Sequence, residues 1–169
     1  MANRAAPFDP YELLAALEAR RVTYVVIGAF ARVIRGTGEI TDGLDITCSP
    51  RQENLSRLAK AIEDLDGSAR DGKRIDLARP RAPVVELDTR AGELKLVPEP
   101  SGTSGYDDIR RHASREPLGR ALRPQVASSG DLARMLGALD RDDRVPTLLR
   151  LRRLIELERT LTLDRGIDL

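Results

Sequence analysis

Aromatic side chains are scarce in this chain: tryptophan is absent, and Phe and Tyr together make up only 3% of the 169 residues. Modules that bind single-stranded nucleic acid by stacking need exposed rings, so the scarcity argues against them. The core must be built from Leu, Val, Ile and Ala instead. Hydrophobic residues account for 41% and charged residues for 33% of the chain, which favours a folded α/β domain over global disorder.

Cysteine, net charge and long apolar runs are also nearly absent. The only cysteine, Cys48, excludes an intramolecular disulfide and a cysteine-rich zinc site, and its place after an apolar stretch predicts a core residue. The formal net charge of +1 does not favour nucleic acid or an anionic membrane as a partner. No apolar run approaches the ~20 residues of a membrane span, and the N-terminus lacks a signal-peptide pattern. We therefore expect a cytoplasmic protein that does not bind membranes.

Hydrophobic periodicity and capping residues predict alternating helices and strands. The helices are expected over 10–20, 29–34, 49–65, 106–114, 129–139 and 145–161. The strands are expected over 22–27, 44–47, 84–87 and 93–97, with a minor strand over 75–77 and a last strand, at the edge of the sheet, over 121–127. Gly28 is expected to end the first strand, the capping box that begins at Ser49 to start the third helix, and Ser129 or Asp131 to cap the fifth helix. The organisation predicted is a core over 1–127 with a helical segment over 128–169 packed on it.

The stretch from Val22 to Thr47 is the most informative part of the sequence. An apolar strand leads through a glycine turn into a short helix, and a second strand then carries Asp45. Together with the helix and hairpin that follow, this order resembles the nucleotidyltransferase superfamily. It is most similar to the AbiEii-like and minimal nucleotidyltransferases of toxin–antitoxin and abortive-infection systems. The segments VPEPSGTSGYDDIRR at 97–111 and SGDLARM at 129–135 are part of the resemblance, which extends over 7–157.

The resemblance implies a small mixed sheet flanked by helices and a nucleotide-transfer site. In that family, a Gly-Gly or Gly-Ser turn at a helix N-terminus holds the nucleotide phosphates through backbone N–H groups. Two aspartates in an Asp-x-Asp pattern lie on one face of a strand, because strand side chains alternate. A third carboxylate from a hairpin completes a cage for two Mg²⁺ ions.

Several of these positions hold different residues in this chain. Gly28 matches the turn, but Ala29 stands where a second Gly or a Ser is expected. The family pattern Arg-x-Thr-x-Asp-Leu-Asp reads here Glu39-Ile40-Thr41-Asp42-Gly43-Leu44-Asp45, so one carboxylate is replaced by glycine. The hairpin pattern Gly-x-Leu-Asp-Leu reads Gly92-Glu93-Leu94-Lys95-Leu96, so the third carboxylate is replaced by lysine. A lysine expected downstream is replaced by Leu136.

These replacements predict a weak metal site. Two carboxylates are lost and a cation is gained, and a like charge about 4 Å from a bound metal costs on the order of 4 kcal/mol at an effective dielectric constant of about 20. We expect Lys95 to pair with Asp45 or with Glu93 instead.

Three functions follow from the sequence. The first is a non-catalytic protein without a cofactor that binds a partner protein, namely a toxin, an antitoxin or a regulator, as the resemblance implies. The second is a Mg²⁺- and NTP-dependent transferase with a rearranged site. Its catalytic residues would be Asp45 and Asp42, the latter turned inward by a bulge at Gly43, and its metal ligands Asp45 and Glu93. The third is a metal-free nucleotide sensor that binds through Gly28, Ala29 and Lys95.

Overall fold

A computed structural model describes residues 6–77, 84–139 and 142–167. The α helices of this part of the chain are α1 (Pro10–Ala19), α2 (Gly28–Arg35), α3 (Gln52–Asp64), α4 (Tyr106–Ile109), α5 (Ser129–Ala138) and α6 (Val145–Ile167), with a short 3-10 helix at Asp142–Arg144. The strands are β1 (Tyr24–Ile27), β2 (Gly43–Cys48), β3 (Ser68–Ala69), β4 (Val85–Thr89), β5 (Gly92–Leu96), β6 (Ser114–Arg115) and β7 (Gln125–Val126).

The strands form one mixed sheet in the order β3-β4-β5-β2-β1-β7-β6. The pairs β2–β5 and β1–β7 are parallel, and the other neighbours are antiparallel. The helices flank this sheet: α1 contacts α3, α2 contacts α5, and α6 packs on α5. The α/β fold expected from the sequence is therefore confirmed.

Local sequence signals explain the first helix and the first turn. The Asp9 carboxylate accepts a hydrogen bond from the N–H of Glu12 at 3.2 Å, and Pro10 occupies the first helical position, as a helix N-terminus favours. Leu13 and Leu17 are fully buried. The strand Tyr24–Ile27 is buried along its whole length and passes directly into α2 at Gly28.

Two predicted strands differ from the structure. Residues 75–77 are not in a strand, and the edge pairing with β4 is made instead by Ser68 and Ala69. The strand predicted over 121–127 is reduced to Gln125–Val126, because Arg120 and Ala121 have positive φ angles of 52° and 60° in a turn. It also lies inside the sheet, between β1 and β6, and not at its edge.

Two helix boundaries and one capping residue also differ from the prediction. The third helix begins at Gln52, and not at the capping box around Ser49. Helix α4 ends at Ile109 because the residues that follow turn back to pair Ser114 with Val126. The hydroxyl that caps α5 belongs to Ser128, which accepts a hydrogen bond from the N–H of Asp131.

One continuous core joins the sheet to the C-terminal helices. Leu132, Leu136 and Leu151 are buried in the same cluster as Val26 and Leu94. Each fully buried leucine contributes roughly 1.5–3 kcal/mol of hydrophobic stabilisation, so α5 and α6 are held firmly on the sheet. None of the described helices combines the length and the apolar composition that a membrane span requires.

Candidate functional site

The glycine turn and the retained aspartate are next to each other. In the antiparallel pair β1–β2, Ile27 is the partner of Asp45, so the side chain of Asp45 reaches the turn into α2. Gly28 has a φ of +68°, and a Cβ at this position would lie 3.0 Å from the Cβ of Asp45 and would collide with its carboxylate. Only glycine fits there, and Ala29 follows as the second, half-buried residue of the helix.

The parallel pair β2–β5 aligns the other candidate positions. Gly43 is the partner of Glu93, and Asp45 is the partner of Lys95. Because strand side chains alternate between the two faces of a sheet, all four positions are on one face. The structure therefore brings Asp45, Glu93 and Lys95 together with Gly28 on one surface, as the motif alignment requires.

Lys95 does not pair with Asp45 or Glu93, so that prediction was wrong about its partner. Its Nζ lies 3.8 Å from Oε1 of Glu86. Glu86 is directly opposite Lys95 in the antiparallel hairpin β4–β5, where side chains are closest across strands.

Glu93 is also engaged, by an arginine that the sequence did not indicate. Nη2 of Arg70 lies 3.2 Å from Glu93 and 2.9 Å from Asp88, and its Nη1 lies 3.6 Å from Glu86. Arg70 follows the short strand β3, so its position depends on an edge pairing that the sequence pattern did not reveal. The hairpin carboxylates therefore form an ion-pair network around Arg70 and Lys95.

The Asp45 carboxylate has neither an ion pair nor a hydrogen bond with any described residue. Burial raises the pKa of Asp45; the charge of Lys95 lowers it, and that of Glu93 raises it again, with the net pKa above its ordinary value. Lys95 thus acts on Asp45 through space, without contact.

Glu39 stands where the family pattern has an arginine, and its carboxylate binds another arginine of this chain. Arg32 of α2 donates hydrogen bonds of 2.8 and 2.9 Å to the two carboxylate oxygens of Glu39, and the Thr37 hydroxyl adds a third at 2.7 Å. Both charged side chains are nearly buried. Burial raises the pKa of Glu39, but the hydrogen bonds from Arg32 and Thr37 and the charge of Arg32 outweigh it and leave the pKa lowered. The pair fixes the loop before β2 to α2.

The remaining candidates lie apart from this surface. Asp42 precedes β2 and is exposed, and β2 is paired in regular register from Gly43 onward. Burial raises the pKa of the Cys48 thiol to about 12, which disfavours a nucleophilic thiolate, as expected for a packing residue. Leu136 is buried in the core, and the only histidine, His112, is largely exposed near Asp131.

The residues of this surface do not fit a two-ion Mg²⁺ cage. Mg²⁺ requires close oxygen ligands in near-octahedral geometry, whereas the register partner of Asp45 is a lysine and Glu93 is bound to Arg70. Within the described residues, no group of three or more His, Cys, Asp or Glu side chains is arranged to hold a metal ion. A cation there would have to displace existing ion pairs.

No protein-family model and no curated protein matches this chain, but solved structures do. The antibiotic-resistance factor ANT(2'')-Ia in solution is 15% identical, with a TM-score of 0.54 over 94% of this chain and 91% of that one. Its crystal structure in complex with adenylyl-2''-tobramycin is 14% identical, with a TM-score of 0.57 over 92% and 95%. The lincosamide antibiotic adenylyltransferase LnuA, lincomycin-bound, is 15% identical, with a TM-score of 0.58 over 88% and 99%. At these identities the likeness shows the fold, which is that of nucleotidyltransferases.

Proposed function

We propose that this nucleotidyltransferase-fold protein acts by binding a partner protein and does not carry out metal-dependent nucleotide transfer. The observation that carries the proposal is the register of β2 and β5, which aligns Lys95 with Asp45 and leaves Gly43 opposite Glu93. Where the family resemblance places three carboxylates, this surface has one aspartate and a lysine.

The electrostatics of the surface support this proposal. A metal ion on Asp45 would be repelled by the Lys95 ammonium, whose charge already acts on Asp45 through space. A like charge at about 4 Å costs on the order of 4 kcal/mol at an effective dielectric constant of about 20, and the cost is smaller at the longer distance that Lys95 keeps while it pairs with Glu86. Recruiting Glu93 as a ligand would also break its contact with Arg70 at 3.2 Å. Both costs oppose Mg²⁺ binding before any nucleotide is present.

The same geometry disfavours a metal-free nucleotide sensor. A phosphate at the N-terminus of α2 would use the backbone N–H groups near Gly28. The carboxylate of Asp45 already lies against Gly28, and its negative charge opposes a phosphate in that place. Lys95 could attract the phosphate, but its ammonium group already forms an ion pair with Glu86.

A partner surface is available on α6. Leu149, Leu157 and Leu161 are 51%, 59% and 58% exposed along this helix, and Ile40, in the loop before β2, is 98% exposed. Large apolar side chains that are exposed in this way are typical of protein interfaces when they cluster. In the setting that the resemblance implies, the partner is a cognate toxin, antitoxin or regulator of a phage-defence system.

Thermal unfolding with each nucleoside triphosphate, with and without Mg²⁺, tests the catalytic part of the proposal. We expect no nucleotide to raise the unfolding temperature, and we expect no labelled nucleotide to be transferred to acceptors in a cell extract. Mg²⁺-dependent stabilisation together with transfer would establish an enzyme. Metal-independent stabilisation that is lost in Lys95→Met would establish a sensor.

Co-expression with the proteins encoded beside this chain tests the binding part. We expect one of them to form a complex that survives size-exclusion chromatography. The double variant Leu157→Glu/Leu161→Glu should lose that complex, whereas Arg70→Met, on the sheet surface, should keep it. If the complex of the α6 variant survives size-exclusion chromatography as well as that of the wild type, this interface is contradicted.

The second candidate function is a working transferase that uses Asp45, Asp42 and Glu93 with Mg²⁺ and NTP. It is favoured by the structural neighbours, one bound to an adenylylated tobramycin and one to lincomycin, and by the retention of Asp45 beside Gly28. The labelled-nucleotide assay should therefore include an aminoglycoside and a lincosamide. Transfer to either one that is abolished by Asp45→Asn would establish this function in place of the first.

A further inference from the structure

A cavity lies at the end of the two central strands that is remote from Gly28. It has a volume of 320 Å³ and is lined by Thr23, just before β1, and by Ser49, just after β2. Gly28 follows the opposite end of β1, where Ile27 is the partner of Asp45. Four residues of strand separate the two places, or about 13 Å. The cavity is thus independent of the surface described above.

The wall of the cavity is fixed by a buried asparagine. Asn54 is 4% exposed. Its Oδ1 accepts a hydrogen bond from the N–H of Thr23 at 2.6 Å, and its Nδ2 donates to the carbonyl oxygens of Thr23 and Ser49, both at 2.9 Å. A side-chain amide that is satisfied on both sides holds the two strand ends in place. The cavity is therefore preformed.

The hydroxyl of Ser49 lines this cavity without a partner. Ser49 is 6% exposed, and its Oγ makes no hydrogen bond with any described residue. The sequence pattern predicts that it caps α3, but the helix begins three residues later, after Arg51, whose side chain makes no capping hydrogen bond. The first N–H groups of a helix have no acceptor within the helix, and α3 begins with such donors three residues after Ser49 in the chain.

Arginines add positive charge to the same cavity. Arg51, Arg57 and Arg110 line it, together with the acidic residues Glu53 and Asp107. Arg110 donates to Asp107 at 3.0 Å, and Arg57 lies 3.9 Å from Glu53. Arg51 has no ion pair with any described residue. The lining therefore carries one uncompensated positive charge, which is that of Arg51.

We infer that this cavity binds a small phosphate monoester, with the phosphate held by Arg51, the Ser49 hydroxyl and the first N–H groups of α3. Helix N-termini and guanidinium groups are the usual donors to phosphate oxygens. The half-buried ring of Tyr106, also in the lining, offers a surface to the organic part of the ligand. The volume is at the lower end of the range for small-molecule sites.

Titration with phenyl phosphate, followed by backbone amide NMR, tests this inference. We expect saturable shifts at the amides of Gln52, Glu53 and Asn54. The Arg51→Ala substitution should weaken binding about tenfold, as for the loss of a charge-assisted hydrogen bond, and Ser49→Ala should weaken it by a smaller factor. Arg152→Ala removes an exposed arginine of α6 and should leave the affinity unchanged.

Three results would overturn the assignment. One is the absence of saturable shifts at α3, and another is an equal loss of affinity in Arg152→Ala, which would indicate a nonspecific charge effect. The third is equal binding of benzoate, which would show that the site does not require phosphate. Because Arg51 is exposed, its variant should fold normally, so the test stands even if Ser49→Ala is unstable.

Discussion

The carboxylate of Asp45 occupies the space that a side chain on Gly28 would need, at the point where β1 passes into α2. Gly28 combines a positive φ of +68° with this contact, so a side chain there would be strained by the backbone and blocked by Asp45. The glycine is therefore required by the retained aspartate itself, whether or not a nucleotide binds. This relationship separates the structural role of the turn from its catalytic role in the family.

Gly28→Ala should destabilise the protein more than a glycine substitution that has only the backbone cost. Gly72 is the matched control, because its φ is +74° and nothing lies within 4 Å of a Cβ there. Each alanine should cost about 1 kcal/mol for its left-handed conformation, and Gly28→Ala should cost roughly 1–3 kcal/mol more for overpacking. Urea unfolding measures both, and equal losses would contradict the contact. Asp45→Ala should reduce this excess in the double variant by removing the carboxylate, but not abolish it, because the Cβ of residue 45 remains 3.0 Å away.

Short-range signals explain what could be predicted here from the sequence. The start of α1, the turn at Gly28 and the hairpin of β4 and β5 each depend on residues a few positions apart, and each was placed within about two residues. The alignment of Asp45, Glu93 and Lys95 followed from the strand order that the family resemblance supplied. These features are encoded locally or by topology.

Long-range pairing explains what the sequence did not reveal. Arg70 reaches Glu93 only because the two-residue strand β3 pairs with β4, and no periodicity marks a strand of that length. The predicted partner of Lys95 was wrong because carboxylates on two adjacent strands are within reach of this lysine. The strand register alone does not determine which of them it contacts. The ion pair between Arg32 and Glu39 depends on how the loop before β2 folds, and no pattern in the sequence indicates that conformation.

The stability of the protein should respond to pH through Asp45. Because burial raises its folded-state pKa, the protonated form is favoured by folding. The stability that protonated Asp45 contributes is fully present below its unfolded-state pKa of 3.8. It is lost as the pH rises through the pKa of the folded state. Asp45→Asn imitates the protonated form at every pH. The variant should therefore be more stable than the wild type at pH 7, and the difference should vanish as the pH falls toward 3.8.

Asp64→Asn is the control of opposite sign in the same pH series of urea unfolding curves. Its hydrogen bond from Arg20 lowers the pKa of Asp64. The stability that it contributes is present above 3.8 and is lost as the pH falls through the lowered pKa. The variant should therefore be less stable than the wild type at pH 7. If the Asp45 and Asp64 variants change stability in the same direction, the burial of Asp45 is not what controls its ionisation.

The ion pair between Arg32 and Glu39 should be worth more than the surface pairs. Their side chains are only 9% and 12% exposed. Arg32→Met should cost about 3 kcal/mol, because it leaves the Glu39 charge buried without a partner. The double variant Arg32→Met/Glu39→Met should lose less than the sum of the single losses in a double-mutant cycle by urea unfolding. Arg20→Met breaks a pair that is 43% and 39% exposed and should cost much less than Arg32→Met, because water screens exposed charges.

Restoring the family's carboxylates should create a cation site on this surface. In Gly43→Asp/Lys95→Asp the ammonium is removed and two carboxylates join Asp45 on one face of β2 and β5. The Cβ of residue 43 would lie 3.3 Å from the Cβ of Glu93, so Glu93 must shift slightly. We expect Mn²⁺ affinity to rise about a hundredfold, because a repulsion of at most about 4 kcal/mol is removed and two ligands are added. Calorimetric titration measures this affinity. Lys95→Met is the control that removes the cation alone, and its Mn²⁺ affinity should rise less.

If the wild type already binds Mn²⁺ as tightly as the double variant, Lys95 and Gly43 do not prevent metal binding, and the proposal of a non-catalytic protein loses its main support.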